Sequence, residues 1–415
     1  MSKVLKNALV LKNDFSFEKR TLYIENDRIS EFAMGEVEDL DGMLIMPGLV
    51  NTHTHAAMTM FRGIAEDVDL KEWLFKYIFP RENKLTEKDV YIGSLVGFME
   101  MVKNGITTFV DMYFYEDAIY QAAKDIGIRG IVARGLADTD GKGEKKLHLA
   151  EEFIKKHLDD DLVKGGFGPH ALYTCSMDYF KEIIDVSKKY DLPVTFHLLE
   201  APNERMDFKK ATGIESVEFL DSIGAFEKNT IIAHGTDLNE DELRLISKRG
   251  STLSYNPTSN AKLGNGIAPI KAAIEMGINV TLGTDSAASN NSLNIFSEMK
   301  FGALLQRAKF HDPKILKLEE IIKMATSNAR KSLPFDVGTL ESGMLADLVV
   351  IDLNDFSMVP TENMLANIVY SFDTASIKRV MIGGKWIYDG EFLTVDGKKV
   401  IEDFEKAYSE VNSRL

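Results

Sequence analysis

A chain of 415 residues, 45% of them apolar, is long enough for more than one core and has the composition of a globular protein. Its formal net charge of −15 argues against a polymeric nucleic-acid partner, because such a partner requires a basic surface to displace counterions. The single cysteine, Cys175, rules out an internal disulfide framework. No uncharged apolar run reaches the roughly 18 residues of a membrane span, and the N-terminus lacks a leader-like apolar core, so a cytoplasmic location is expected.

The first 45 residues read as short strands: VLKNALVLKN, RTLYIENDRISEFA and DGMLIMP, with turns at Asn13-Asp14 and Asn26-Asp27. The middle of the chain then changes character. Eight apolar or β-branched runs alternate with amphipathic helical segments: LIMPGLVNTHTH, GITTFVDMY, GIRGIVARGL, VKGGFGPHALYT, LPVTFHLLE, TIIAHGTDL, STLSYNPTSN and NVTLGTDSAASNN. Thr86 is positioned to cap a helix running to Lys103, and Asn239 with Glu242 has capping-box spacing for a helix to Lys248. Repeated β-then-α units impose parallel strands with crossover helices. Eight of them fit a closed (β/α)8 TIM barrel better than an open doubly wound sheet, since no glycine-rich phosphate loop follows the first run. The tail returns to strands in ADLVVIDLN and IKRVMIGGKWIYDGEF, with a hairpin expected at Asp396-Gly397 and a last helix from near Glu402. The expected α/β architecture is a barrel over 49–334 and a small β-sandwich domain assembled from both termini, 1–48 plus 335–415.

Barrel enzymes work at the C-terminal ends of their strands. Five of the eight histidines fall there: His53 and His55 after the first run, His170 after the fourth, His197 after the fifth and His234 after the sixth. His148, His157 and His311 lie in charged segments and read as solvated. His53 and His55, spaced i, i+2 on a strand, face one way. With His197 they make a three-imidazole set suited to one divalent metal, Zn2+ first and Fe2+ or Mn2+ as alternatives, with Asp285 as a fourth ligand or proton acceptor. No lysine stands near the rim of the fourth strand to bridge a second ion. Such a site performs metal-assisted hydrolysis. His234 is then placed to orient the water and Glu200 to shuttle a proton, with a salt bridge from Glu200 to Arg205 as the plainer alternative.

PGLVNTHTH, HLLE, IIAHG and GTDSAASNN, in that order, resemble the amidohydrolase superfamily over essentially the whole chain. AMTMFRG, WLFKYIFPRENKLT, ARGLAD and GPHALYTCS are most similar to the 5′-methylthioadenosine/S-adenosylhomocysteine deaminases within it. The resemblance implies a metal site of His53, His55, His197 and Asp285. It implies substrate contacts from Glu82 to the ribose, His170 to the purine, and Arg134 to the substrate tail, with Glu200 and Asp285 at the reacting atoms. Trp73 and Phe79 would wall the pocket. An ion pair from Arg134 to Asp111 or Asp138 is the structural alternative to its binding role. A second arginine that some relatives offer to a homocysteine carboxylate is absent after the third strand, where Lys142, Lys145 and Lys146 stand instead; lysine gives charge without a bidentate fork. The expected partner is a small nucleoside, with no membrane; a homo-oligomer is left open. Two other readings compete: a deaminase or chlorohydrolase of another ring (guanine, cytosine or triazine), and a non-catalytic protein stabilised by its metal.

Overall fold

The computed structural model describes residues 2–415. Eight parallel strands form the middle of the molecule: β1 (Leu49–His55), β2 (Ile106–Tyr113), β3 (Arg129–Leu136), β4 (Val163–Pro169), β5 (Val194–Leu198), β6 (Thr230–His234), β7 (Thr252–Tyr255) and β8 (Asn279–Leu282). Each pairs with the next in chain order. Beyond β8 the two-residue strand Asp285–Ser286 lies parallel to β1, with Asp285 opposite Thr54 and Ser286 opposite His55. The Thr52 hydroxyl donates to the Leu282 carbonyl at 2.9 Å, so the first and last strands meet. The fold is a (β/α)8 barrel, as the eight runs require. Every residue of β1, β2, β6, β7 and β8 is buried, which is why these runs lack the regular apolar–polar alternation of a half-exposed strand.

Local chemistry sets the helices. α1 (Glu87–Lys103) opens on a capping box, in which the Thr86 amide donates to the Asp89 carboxylate at 2.7 Å and Asp89 N returns a bond to the Thr86 hydroxyl. One face of α1 carries Gly93 and Gly97, four residues apart. A Cβ at either position would stand 2.6–2.7 Å from the carbonyl oxygens of Ala57 and Ala56. The segment immediately after His55 therefore lies directly on α1, and the two metal-type histidines end on rigid backbone. The expected helix after Asn239 is present as Glu240–Arg249, again with a capping box.

Both termini contribute to the remaining sheets. Strands Arg28–Ser30, Leu22–Glu25, Ser2–Lys6 and Glu36–Asp39 form one. In the other, Met43–Pro47 runs antiparallel to Leu348–Asp352 and parallel to Leu9–Leu11, so the two ends of the chain are stitched edge to edge. Leu5, Ile24, Ile45, Val350 and Met381 share the core between them. The tail differs from expectation at one point. Asp396-Gly397 is not a hairpin; the Asp396 carboxylate accepts from Lys398 N and Lys399 N, both at 3.1 Å, and caps a helix Gly397–Ser413 that starts five residues before Glu402. Asp-Gly serves a turn or an N-cap equally well, and the apolar spacing of Val400, Ala407 and Val411 decides for the helix. No described helix is long and apolar enough to cross a membrane.

Candidate active site

The strand ends bring His53, His55, His197, His234, Glu200 and Asp285 to one point on the axis of the barrel. Ligand atoms of His53, His197 and His234 lie within 4.8 Å of one another; so do those of His53, His55 and Asp285, and those of Glu200, His234 and Asp285. All six side chains are buried. Three residues at these turns hold non-glycine left-handed backbone: Leu199 (φ 49°), His234 (φ 72°) and Asp285 (φ 59°). Such conformations cost energy and persist only where the surroundings impose them. Gly283 has the opposite duty: a Cβ there would meet Asn256 Oδ1 at 2.3 Å and His53 Cβ at 2.8 Å, so only glycine lets the Asp285 turn pass this close.

Hydrogen bonds to the outer ring nitrogens set the tautomers. His55 Nδ1 donates to the Met112 carbonyl at 2.5 Å and His197 Nδ1 to the His170 carbonyl at 2.7 Å. Their Nε2 lone pairs consequently face each other across 3.3 Å, with Asp285 Oδ1 3.2 Å from His55 Nε2 and 3.5 Å from His53 Nε2. Both ring nitrogens of His53 are buried without a hydrogen-bond partner. Converging lone pairs around an anion call for a cation at the centre, and backbone bonds on the far nitrogens are how metal-ligating imidazoles are held. The donor set thus fits a divalent metal. Electrostatics agrees. Burial alone would push the His55 imidazole down, but Asp285 outweighs it and raises the ring to about 9, so that a proton substitutes for a cation.

The two carboxyls are driven apart. Burial holds Glu200 well above the usual carboxyl range, reinforced by the negative charge of Asp285. Asp285 is also penalised by burial, yet the His53 and His55 rings beside it overcome this and hold it well below its ordinary value. The Ser259 and Ser289 hydroxyls donate to its other oxygen at 2.5 and 2.9 Å. The two environments thus push this pair of acids in opposite directions, the separation that acid and base partners need. His234 Nδ1 donates to Asn260 Oδ1 at 2.8 Å, which leaves Nε2 as an acceptor 3.7 Å from Glu200; burial pushes this ring down to about 4, so it is neutral.

A cavity of about 740 Å³ opens from this centre and is lined by His55, Glu82, Arg134, His170, Glu200 and Asp285 among others. Trp73, Phe79 and Met58 also line it, whereas Met60 packs against the Gly93 face of α1. Lys142, Lys145 and Lys146 reach its outer edge. Glu82 sits at the end of the short helix Phe79–Glu82, beside Tyr113. Two of the structural alternatives take other partners, and one histidine read as solvated is packed. Arg134 pairs with Glu116, not with Asp111 or Asp138. Arg205 goes to Asp237 and Glu242, leaving Glu200 to the site. His157 is not solvated: it stacks on Tyr120 with ring centroids 3.8 Å apart. Cys175 is buried, its thiol pushed up to about 12 by burial.

Several supporting residues escape the sequence reading: Ser259, Asn260, Asn265, Ser289 and Glu204. Asn265 donates to Glu200 Oε1 at 3.2 Å. Asn260 lies in NPTSN, a run already marked as a strand end, and its polarity at a rim position was the available signal.

Residues 44–387 match the model of the Amidohydrolase family. The chain is 42% identical to the 5-methylthioadenosine/S-adenosylhomocysteine deaminase of Thermotoga maritima, covering 99% of this chain and 100% of the relative. It is 39% identical to the 5′-deoxyadenosine deaminase of Methanocaldococcus jannaschii, covering 98% and 100%. Among solved structures, an adenosine deaminase from Xanthomonas campestris with bound zinc superposes with a TM-score of 0.95 at 27% identity, over 99% of this chain and 98% of the other.

Proposed function

The chain belongs to the amidohydrolase family, and from that premise we infer that it is a hydrolytic deaminase of adenosine-type nucleosides, yielding the inosine analogue and ammonia. The observation that carries the reading is the convergence of four imidazoles with the carboxyls of Asp285 and Glu200 at the end of one cavity, which His55, His197, Glu200 and Asp285 line. His53, His55, His197 and Asp285 would hold one divalent cation, Zn2+ being the best match to that donor set, and a bound cation lowers the pKa of a water from about 15.7 to about 7.

The chain's own groups do the rest. Neutral His234 receives a hydrogen bond from the attacking water at Nε2 and aims it at C6 of the purine. Asp285 takes the proton that water gives up. Glu200 delivers its proton to N1, which makes C6 electrophilic as the ring loses aromaticity. The proton on Asp285 then passes to the amino nitrogen, which leaves as ammonia, and the hydroxyl left on C6 returns its proton to Glu200 as the carbonyl forms. Glu82, an acceptor on both oxygens, holds the ribose hydroxyls, and His170 lies against the purine.

Tail selection follows from charge already spent. Arg134 is committed to Glu116, and the lysines at the cavity edge cannot form a fork on a carboxylate. Short neutral 5′ substituents should therefore be preferred to a homocysteine tail. Ammonia release measured over adenosine, 5′-deoxyadenosine, 5′-methylthioadenosine, S-adenosylhomocysteine, guanine and cytosine tests this directly. Turnover confined to free bases would refute the nucleoside reading, and a best rate on S-adenosylhomocysteine would refute the tail argument.

A further inference from the structure

Glu204 is a deeply buried carboxylate to which the reaction assigns no part. It opens the helix Glu204–Thr212 and is 6% exposed. Its side chain folds back over the preceding turn and accepts from the amides of Leu199 at 3.0 Å and Glu200 at 2.8 Å, one on each oxygen. From the opposite side, the Thr236 hydroxyl spans the carbonyls of the same two residues, at 2.8 and 2.9 Å. Every backbone polar group of Leu199 and Glu200 is thereby gripped.

That turn has a specific task. β5 ends just after His197, and two residues later the chain must send the Glu200 side chain back to the same centre. Leu199 takes left-handed backbone to do this, a conformation that a leucine adopts only under constraint. The result is a carboxyl with Oε1 bound by Asn265 and Oε2 left toward His234. Loss of the Glu204 carboxylate would orphan two buried amides and free the turn to relax.

We propose that Glu204 is a positioning residue for proton delivery: its carboxylate clamps the Leu199–Glu200 turn and so fixes where Glu200 presents its proton. This rests on Glu200 being the proton donor. Glutamine cannot replace Glu204 fully, because its amide nitrogen would face one of the two N–H donors. Aspartate is one methylene short of spanning both.

The test uses E204Q, E204D, E200Q and the double variant E200Q/E204Q, assayed as metal-loaded enzyme for ammonia release from adenosine, with thermal melts alongside. E204Q should lower kcat about 10- to 100-fold, the scale of an ångström-sized misplacement, while KM stays within about threefold. In the E200Q background the same change should lower the residual rate less than about twofold, because the group it positions is gone. A full rate in E204Q overturns the proposal. So does an equal loss in both backgrounds, which would make Glu204 a general structural support. If E204Q does not fold, E204D is read by the same cycle. Full activity in E200Q would show instead that Glu200 is not the donor, the separate premise.

Discussion

At the N-terminal end of the barrel, Arg129 opens β3 beneath the terminal sheets; at the C-terminal end stand His53 and Asp285. Both places bury charge almost completely. Below, every group is answered: Arg129 donates to Asp347 through Nε at 2.7 Å and Nη2 at 3.2 Å and to the Asp161 carbonyl at 2.7 Å, and the Gly383 amide donates to Asp347 at 2.7 Å. Above, both nitrogens of His53 and Nε2 of His234 have no partner, and two imidazole lone pairs face each other. Satisfied burial marks a joint between the barrel and the sheets. Unsatisfied burial, held by strained backbone, marks a place kept ready for something that arrives.

The contrast is sharpest in what each end should cost when broken. At the rim, D285N and E200Q should each lower kcat by about 10³-fold or more, the scale of losing an acid or base at the reacting atoms, with melting temperatures close to the parent. At the base, R129M or D347N should leave kcat intact below the transition but remove about 3–5 kcal/mol of stability, the usual result of stranding one half of a buried ion pair. Denaturant titration beside steady-state kinetics reads both. A rim variant that unfolds, or a base variant that loses turnover while folded, would break the division.

Smaller effects sharpen it. E82Q should raise KM for adenosine about tenfold, with a lesser effect on kcat, since it removes charge-assisted acceptors for the ribose far from C6. A 2′,3′-dideoxy substrate should show little of this difference between parent and variant. The smallest effect concerns pH. Burial pushes Glu298, behind the Asp285 turn, up to about 7 from 4.5. A carboxyl raised on folding contributes stability that is complete below 4.5 and is lost as pH rises through 7. From pH 5 to 8 the parent should therefore lose more stability than E298Q, measured by parallel melts.

The barrel was legible because its strands are buried on both faces and its helices carry caps, signals that are local in the chain. The metal-type residues were legible for a related reason: a rim position is a strand end, and His53-x-His55, His197, His234 and Asp285 each stand at one. The second layer was not. Ser259, Asn260 and Asn265 reach their partners from 26 or more positions away, so that only the polarity of a rim position could single out Asn260. Glu204 and Ser289 lie four residues from the groups they hold, where a polar side chain reads equally well as a surface turn. Arg134 shows the same limit from the other side, since Glu116 reaches it from the start of the preceding helix, eighteen positions before it in the chain. Asp396-Gly397 failed as a hairpin because a local dipeptide admits two structures and packing chose.

The most direct test of the central claim is a metal titration of chelator-stripped enzyme, following ammonia release from adenosine as Zn2+ is added back. Turnover should be absent in the stripped protein, rise linearly and level off at one ion per chain. Full turnover by protein shown to contain no metal would contradict the account.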